Sequence, residues 1–303
     1  MNSKIDLTPN LFLIGAPKAG TTALAKNISK HSDIFLPKNE RSRYFDGITF
    51  YDNQKDNPDY SLKEYLLSFR SQLAEKSKYR LDTSALSMYK MESIKHILNL
   101  SSNAKFIILL REPVSASLSM HRQRLGYSDT KMREVSSDFM ECWDKLYSRG
   151  EGLGFPKGCR NKFLFRYDLL YSYEKYIPLI RKIIKKENLF IGFYDDFINN
   201  PQELYAELFS FLEIKNINVE NEKINKSSIL KKSVIFEFID LISRKSFYVR
   251  KKLGITNFGF MRNFRKMYLI NKAPRQEVDE KVHRFFKKTN NYLKALKMEI
   301  RVK

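Results

Sequence analysis

Cysteine is nearly absent from this chain: Cys142 and Cys159 are the only two in 303 residues. They form no C-x-x-C or metal-ligand pattern, which excludes a disulfide-stapled secreted scaffold and a cysteine-built metal centre and fits a reducing compartment. A single bridge between the two stays open. Long hydrophobic runs are also lacking, since the longest aliphatic stretch, "FIILL" at 106–110, is far too short to span a bilayer. The opening "MNSKIDLTPN" has no apolar region ahead of a cleavage site, so a soluble, cytoplasmic protein is expected. Acidic residues are scarce beside basic ones, 34 against 55, leaving a formal charge of +21. That surplus favours anionic partners, whether nucleotides, nucleic acids, acidic glycans or membranes, and does not choose among them. It is densest late in the chain, in "SRKSFYVRKKLG" and "MRNFRKMY", where solvated helix faces are an equal reading.

With 43% hydrophobic and 29% charged residues the composition is that of a globular protein with a sizeable core. "LFLIG" at 11–15 reads as a buried strand ended by glycine, and "TTALAKNISKH" follows with Leu24 and Ile28 at helical spacing. The same order recurs at 105–123, where "KFIILL" is a strand, "REP" a turn with Pro113 placed for a helix start, and "VSASLSMHRQ" the helix. A third strand, "NLFIGFY", precedes "DDFINNPQELYAELFSFLEI", whose Leu204, Leu208, Phe211 and Leu212 share one face. Strands alternating with helices predict an α/β fold with a parallel sheet covered on both sides. Helices are also expected at "SLKEYLLSFRSQLAEK", at "LLYSYEKYIPLIRKIIKKE" and from 226 onward, where Val278, Val282, Phe285 and Phe286 form one stripe. Residues 124–165 read as a helix plus long loops. One domain is expected, an α/β core over about 8–225 and a helical part over 226–303.

The loop "GAPKAGTT", residues 15–22, joins the first strand to the first helix and lacks something in turn. In the nucleoside-triphosphate loop G-x-x-x-x-G-K-[ST] a lysine follows the second glycine and reaches the terminal phosphates. Here Gly15 and Gly20 keep the spacing, Thr21 occupies the lysine's place, and Lys18 lies inside the loop. Backbone N–H groups and the helix N-terminus can hold one phosphate, with the Thr21 and Thr22 hydroxyls adding donors. Lysine over the loop suits a donor with one cradled phosphate and one transferable group. The spacing alone is weak, and a plain strand–turn–helix junction fits it equally. A second segment, "LLREPVSASLSMH", sets Arg111 at the C-terminal end of a buried strand, the rim where open α/β sheets bind ligands. Arg111 offers a planar fork for a second phosphate and Ser119 a hydroxyl from the following helix; a surface salt bridge to Glu112 is the plainer alternative.

Together these segments resemble the sulfotransferases that use 3′-phosphoadenosine-5′-phosphosulfate (PAPS), in particular the carbohydrate-type branch. "APKAGTTAL" resembles the family's 5′-phosphosulfate loop, and "REPVSASLSMH", arginine to serine eight residues later, its 3′-phosphate motif. Weaker similarity runs through "HSDIFLPKNERSRYFDG", "LDTSALSMY", "FYDDFINNPQELYAELFSFLEI" and "RFFKKTNNYL". The resemblance implies a three-layer P-loop-like fold with a central parallel sheet flanked by helices and a helical C-terminal region. It implies nucleotide binding by Pro17, Lys18, Ala19, Gly20, Thr21, Thr22, Arg111 and Ser119, with Lys18 catalytic at the bridging oxygen of the leaving nucleotide. A sulfuryl group would pass from PAPS to a hydroxyl, or as second choice an amine, of a saccharide-like acceptor, an anionic one suiting the basic tail, with no metal required. The basic C-terminal region would allow contact with a membrane surface, and no specific nucleic-acid partner is implied.

One departure concerns the base that takes the acceptor's proton. The family's carbohydrate-type members carry a Lys-Glu pair before two aromatics, whereas this chain has Glu40 at the lysine and Arg41 at the glutamate. Arginine stays protonated and is a poor base. Glu40 swung in by a one-residue bulge, Asp82 or His121 are the candidates; otherwise the chain binds the nucleotide and transfers slowly or not at all. The competing functions are a P-loop nucleotide kinase, disfavoured by the missing lysine, and a basic nucleic-acid or membrane-surface module without transferase activity.

Overall fold

The computed structural model describes residues 8–37, 62–127, 129–159, 161–220 and 276–302, and the backbone at 229–230 and 269–270. The chain divides into two compact units, the first comprising 1–117, 167–224 and 280–303, the second 118–166 and 225–279.

The first unit is built on five parallel strands: β1 (Leu11–Gly15), β2 (Ile34–Phe35), β3 (Tyr79–Asp82), β4 (Lys105–Leu110) and β5 (Leu189–Phe193), in the order β2-β3-β1-β4-β5. β1, β4 and β5 are the three expected strands. Every residue of β1 is buried, as are Phe106 to Leu110 of β4, which is why both read as unbroken apolar runs. The helices that flank the sheet and matter most here are α1 (Thr21–Ile28), α2 (Met91–Leu100), α3 (Pro113–Leu125), α4 (Tyr173–Ile183), α5 (Tyr194–Asn199), α6 (Pro201–Phe211), α7 (Glu280–Phe285) and α8 (Lys287–Arg301). The buried Asn27 amide donates to the Tyr205 hydroxyl at 2.9 Å and ties α1 to α6, while α4 packs against α2 and α8.

Several expected elements are broken. The segment after β5 is two helices because Pro201 pushes Asn200 out of helical geometry, to φ −131° and ψ 57°, and then starts α6 itself. Of the expected face Leu204, Leu208 and Leu212 are buried, while Phe211 is half-buried. The stretch at 61–76 likewise splits, into Leu62–Leu67 and Gln72–Lys76, the second capped by the Ser71 hydroxyl, which accepts from Ala74 N at 3.1 Å. In the last stripe Val282 and Phe286 are fully buried, but Val278 lies ahead of α7 and is half-buried, and Phe285 is 48% exposed, since the helix interrupts at Phe286 between α7 and α8.

In the second unit, Phe139–Asp144 is a short helix whose N-cap, Asp138, accepts from Met140 N at 2.6 Å. A second short helix, Leu146–Gly150, carries Arg149, which forms a two-pronged ion pair with Glu134 at 2.9 and 2.7 Å; both side chains are fully buried. A two-stranded antiparallel pairing joins β6 (Ile229–Leu230) to β7 (Leu269–Ile270). Cys142 and Cys159 are free thiols, so the open question of a bridge is answered. Among the described residues no helix is long and apolar enough to cross a membrane. The expected helices across 226–275 and the basic stretches at 243–254 and 261–268 lie outside the described residues, apart from the β6 and β7 backbone.

Candidate active site

β1 sits between β3 and β4, so the loop at its C-terminal end, residues 16–20, opens at the middle of the sheet rim. The β1–β4 register shifts between Leu13 and Gly15, and Ala16 N then donates to Leu109 O at 2.8 Å, carrying the pairing into the loop. Gly15 is required by close approach, because a Cβ there would land on the Met88 side chain. Gly20 is required by its backbone, with φ 88°; a Cβ would also lie 3.2 and 3.3 Å from Phe197 and Tyr194. It caps α1 without a side chain, leaving the first-turn N–H groups of the helix to an incoming anion.

Between the two glycines, Lys18 is also left-handed, at φ 68°. For a residue with a Cβ this conformation persists only where its surroundings impose it, and such residues gather at functional sites. The surroundings here include Arg111, whose Nη1 donates to Lys18 O at 3.0 Å. The guanidinium also stacks on Tyr194, its carbon 4.2 Å from the ring centroid. Glu112 does not neutralise it. That carboxylate caps α3, accepting from Val114 N at 2.9 Å and from Ser115 N at 2.7 Å. Among the described residues no other carboxylate pairs with Arg111, so part of its planar fork is free to meet an oxyanion.

Pro17 and Lys18 are half-buried, Ala19 and Thr21 buried, and Thr22 exposed on the first turn of α1. The first unit thus brings together the loop, the start of α1 and Arg111. Ser119 lies half-buried on α3, in the part of that helix belonging to the second unit. Glu40 and Arg41 lie outside the described residues. The other two base candidates are committed elsewhere. Asp82 is fully buried and accepts from the Tyr65 hydroxyl at 2.9 Å and from Ser84 N at 2.8 Å, the turn-capping role that aspartates take at strand ends. His121 is fully buried, with Nε2 3.1 Å from Ser136 O and its ring edge-on to Phe139; burial pulls its pKa below the ordinary value.

Three aromatic residues at the site escaped the sequence reading. Tyr194 and Phe197 come from α5 and press on Gly20, and Tyr173, at the start of α4, lies fully buried beside Arg111. Burial pushes the Tyr173 phenol far up, only partly offset by the Arg111 backbone and guanidinium, so it stays neutral. For Tyr194 and Phe197 the available signal was "FYDDF", aromatics set directly at a strand's C-terminal end.

Residues 8–263 match the sulfotransferase domain family, a span that includes the loop, Arg111 and α5. The chain belongs to that family. Among solved structures, the sulfotransferase is similar to one from Alicyclobacillus acidocaldarius, at 18% identity over 84% of this chain and 98% of that one, with a TM-score of 0.59. This likeness shows the fold. The sulfotransferase domain from the curacin biosynthetic pathway matches at 17% identity over 69% of this chain and 75% of that one, with a TM-score of 0.44. A mouse sulfotransferase, SULT7A1, complexed with PAP, matches at 16% identity over 70% of this chain and 60% of that one, with a TM-score of 0.42. No curated protein matches the chain. Family membership removes the nucleotide kinase and the non-enzymatic basic module as readings of the whole.

Proposed function

We propose that the chain transfers a sulfuryl group from PAPS to a hydroxyl of a carbohydrate-like acceptor, and that both units serve one sulfotransferase domain. The observation that carries this is the hydrogen bond from Arg111 to Lys18 O, because it joins the two anion-binding motifs into one site. A nucleotide with phosphates at both ends is the ligand that needs both. In this reading Pro17, Lys18, Ala19, Gly20, Thr21 and Thr22 hold the 5′-phosphosulfate, and Arg111 with Ser119 the 3′-phosphate. The family match crosses both units, which supports a single domain. The free thiols support a reducing, cytoplasmic setting.

The chemistry breaks the S–O bond to the 5′-phosphate and forms one from sulfur to the acceptor oxygen. The bond's electron pair stays on the bridging oxygen, where the Lys18 ammonium answers the growing charge. The acceptor's proton goes to a base, and Glu40 is our assignment. The burial of Asp82 and His121 supports it, since an acceptor hydroxyl must reach the base.

Two substitutions separate the roles. Lys18→Ala should lower kcat about 10²- to 10³-fold, as loss of an oxyanion donor does. It should leave the affinity for adenosine 3′,5′-bisphosphate nearly intact. Arg111→Ala should weaken that affinity by about 10- to 150-fold, the worth of a hydrogen bond to a charged group. Calorimetry with the bisphosphate and PAPS-dependent labelling of a panel of glycans, lipids and phenols are the measurements. Wild-type affinity in Arg111→Ala would sink the reading.

A further inference from the structure

The family match ends at residue 263, yet α8, residues 287–301, reaches the strand ends that carry the site. We propose that this helix positions the nucleotide site: Lys297 and Arg301, acting through Asp196, hold α5 so that Tyr194 lies against Arg111 and Gly20. The proposal rests on the reading that this loop binds the nucleotide.

α5 has only six residues, too few to hold its own geometry, so its placement must be imposed from outside. Toward the loop it presents Tyr194 and Phe197, one helical turn apart. Tyr194 stacks on the Arg111 guanidinium, and both rings bound the space around Gly20. Elsewhere on the same helix a single oxygen of Asp196 accepts from Lys297 Nζ at 2.7 Å and from Arg301 Nη2 at 2.8 Å. Lys297 Nζ also lies 5.2 Å from the centroid of Phe193, the residue just before α5. Asp196 and Lys297 are 19% and 28% exposed, so water screens the pair less than it would on an open surface.

Phe197, buried against the Tyr205 ring of α6, seats one side of α5, but the side toward α8 is not closed by packing. Between α8 and the ends of β4 and β5 lies a cavity of about 320 Å³, lined among others by Arg111, Phe193, Asp195, Lys294 and Lys297. The charge clamp therefore bridges a gap that side-chain contact leaves open. α8 itself is anchored independently: Leu296 is buried, Thr289 Oγ1 donates to Glu174 at 2.7 Å, and Arg181 grips both Glu299 oxygens at 3.0 and 3.2 Å. The two polar anchors end on α4, whereas the Asp196 contacts pass from α8 to the helix that touches Arg111 and Gly20.

The test compares Asp196→Asn, which keeps shape and removes charge, with Glu299→Gln, which loosens α8 on α4 without touching α5. Binding of adenosine 3′,5′-bisphosphate is followed by calorimetry, the KM for PAPS and kcat by turnover, and folding by melting temperature. Asp196→Asn, and separately the pair Lys297→Met with Arg301→Met, should raise the bisphosphate Kd and the PAPS KM by roughly 3- to 30-fold, the range for residues that bias a site from a distance. They should leave kcat within about 2-fold. Asp196→Glu should restore much of the affinity, and Glu299→Gln should shift the melting temperature and not the Kd. A wild-type Kd in Asp196→Asn, or an equal loss in Glu299→Gln, overturns the clamp while the nucleotide reading stands. Wild-type protein that fails to bind the bisphosphate overturns both.

Discussion

Replacing Glu134 by glutamine tests how the second unit is held together. Glu134 and Arg149 are both fully buried, and the carboxylate meets the guanidinium fork at 2.9 and 2.7 Å. Arg149 spends further donors on Phe165 O at 2.9 Å and Gly154 O at 3.2 Å, so it links three loop segments and cannot swing out to water. Glu134→Gln keeps the volume and removes the carboxylate that meets both prongs of the buried guanidinium, leaving its charge less well answered. Breaking one side of such a pair costs about 3–5 kcal/mol. At about 2–4 °C per kcal/mol for a chain of this order, the melting temperature should fall by roughly 6–20 °C, read by scanning calorimetry near neutral pH. Removing both charges, with Glu134→Leu and Arg149→Met, should recover most of that loss, because the attraction within a buried pair barely exceeds the cost of drying it. A Glu134→Gln protein melting within about 2 °C of wild type, or a double variant worse than the single, would refute the argument.

Three further outcomes follow from the same structure. Burial lowers the His121 pKa, with the Glu134 charge pulling the other way, so below about pH 6.5 the unfolded chain takes up a proton that the folded chain refuses. Urea titrations should show stability falling as pH drops through that value and levelling below the folded pKa, and His121→Phe should flatten the slope. Burial pushes the Cys142 thiol up to about 12, while Cys159 is only half-buried. Mass spectrometry after alkylation at mildly alkaline pH should find Cys159 modified first and Cys142 only on unfolding. Gly20→Ala should cost about 1–2 kcal/mol from the left-handed backbone alone. Its methyl, placed 3.2 Å from Phe197 and 3.3 Å from Tyr194, should also weaken bisphosphate binding, which calorimetry reads directly.

Strands and turns were legible where their chemistry is local. β1 and β4 announced themselves because strands buried on both faces need unbroken apolar runs, and β5, half-buried at Leu189 and Phe190 and buried from Ile191 to Phe193, carries a similar run. β2 has two residues, and β3, "YRLD", mixes charge with bulk, so neither carries a readable period. β3 is held instead by distant partners: the Asn10 amide bridges Lys78 O and Arg80 N, and the Arg80 guanidinium bonds Thr8 O and Ser77 O. Asn200-Pro201 did carry a local signal for the break between α5 and α6, outweighed in the reading by the strong apolar face that follows.

The site divides along the same line. Gly15, Lys18, Gly20 and Arg111 could be assembled from two short motifs, because each motif lies at a strand end and open parallel sheets bind ligands at that rim. Tyr194, Phe197 and Asp196 carried only the weak signal of "FYDDF" at a strand's C-terminal end, and nothing in those residues names the loop at 16–20 as their partner. What brings them there is strand order. With β4 between β1 and β5, the arginine leaving β4 stands between the loop after β1 and the helix after β5, and it touches both: Lys18 O on one side, the Tyr194 ring on the other. An arginine in that place reports on the seating of α5 as well as on its ligand. Removing the Tyr194 ring with Tyr194→Ala should therefore loosen bisphosphate binding even though Arg111 and the loop are untouched, whereas Tyr194→Phe, which keeps the stacking face, should bind nearly as wild type.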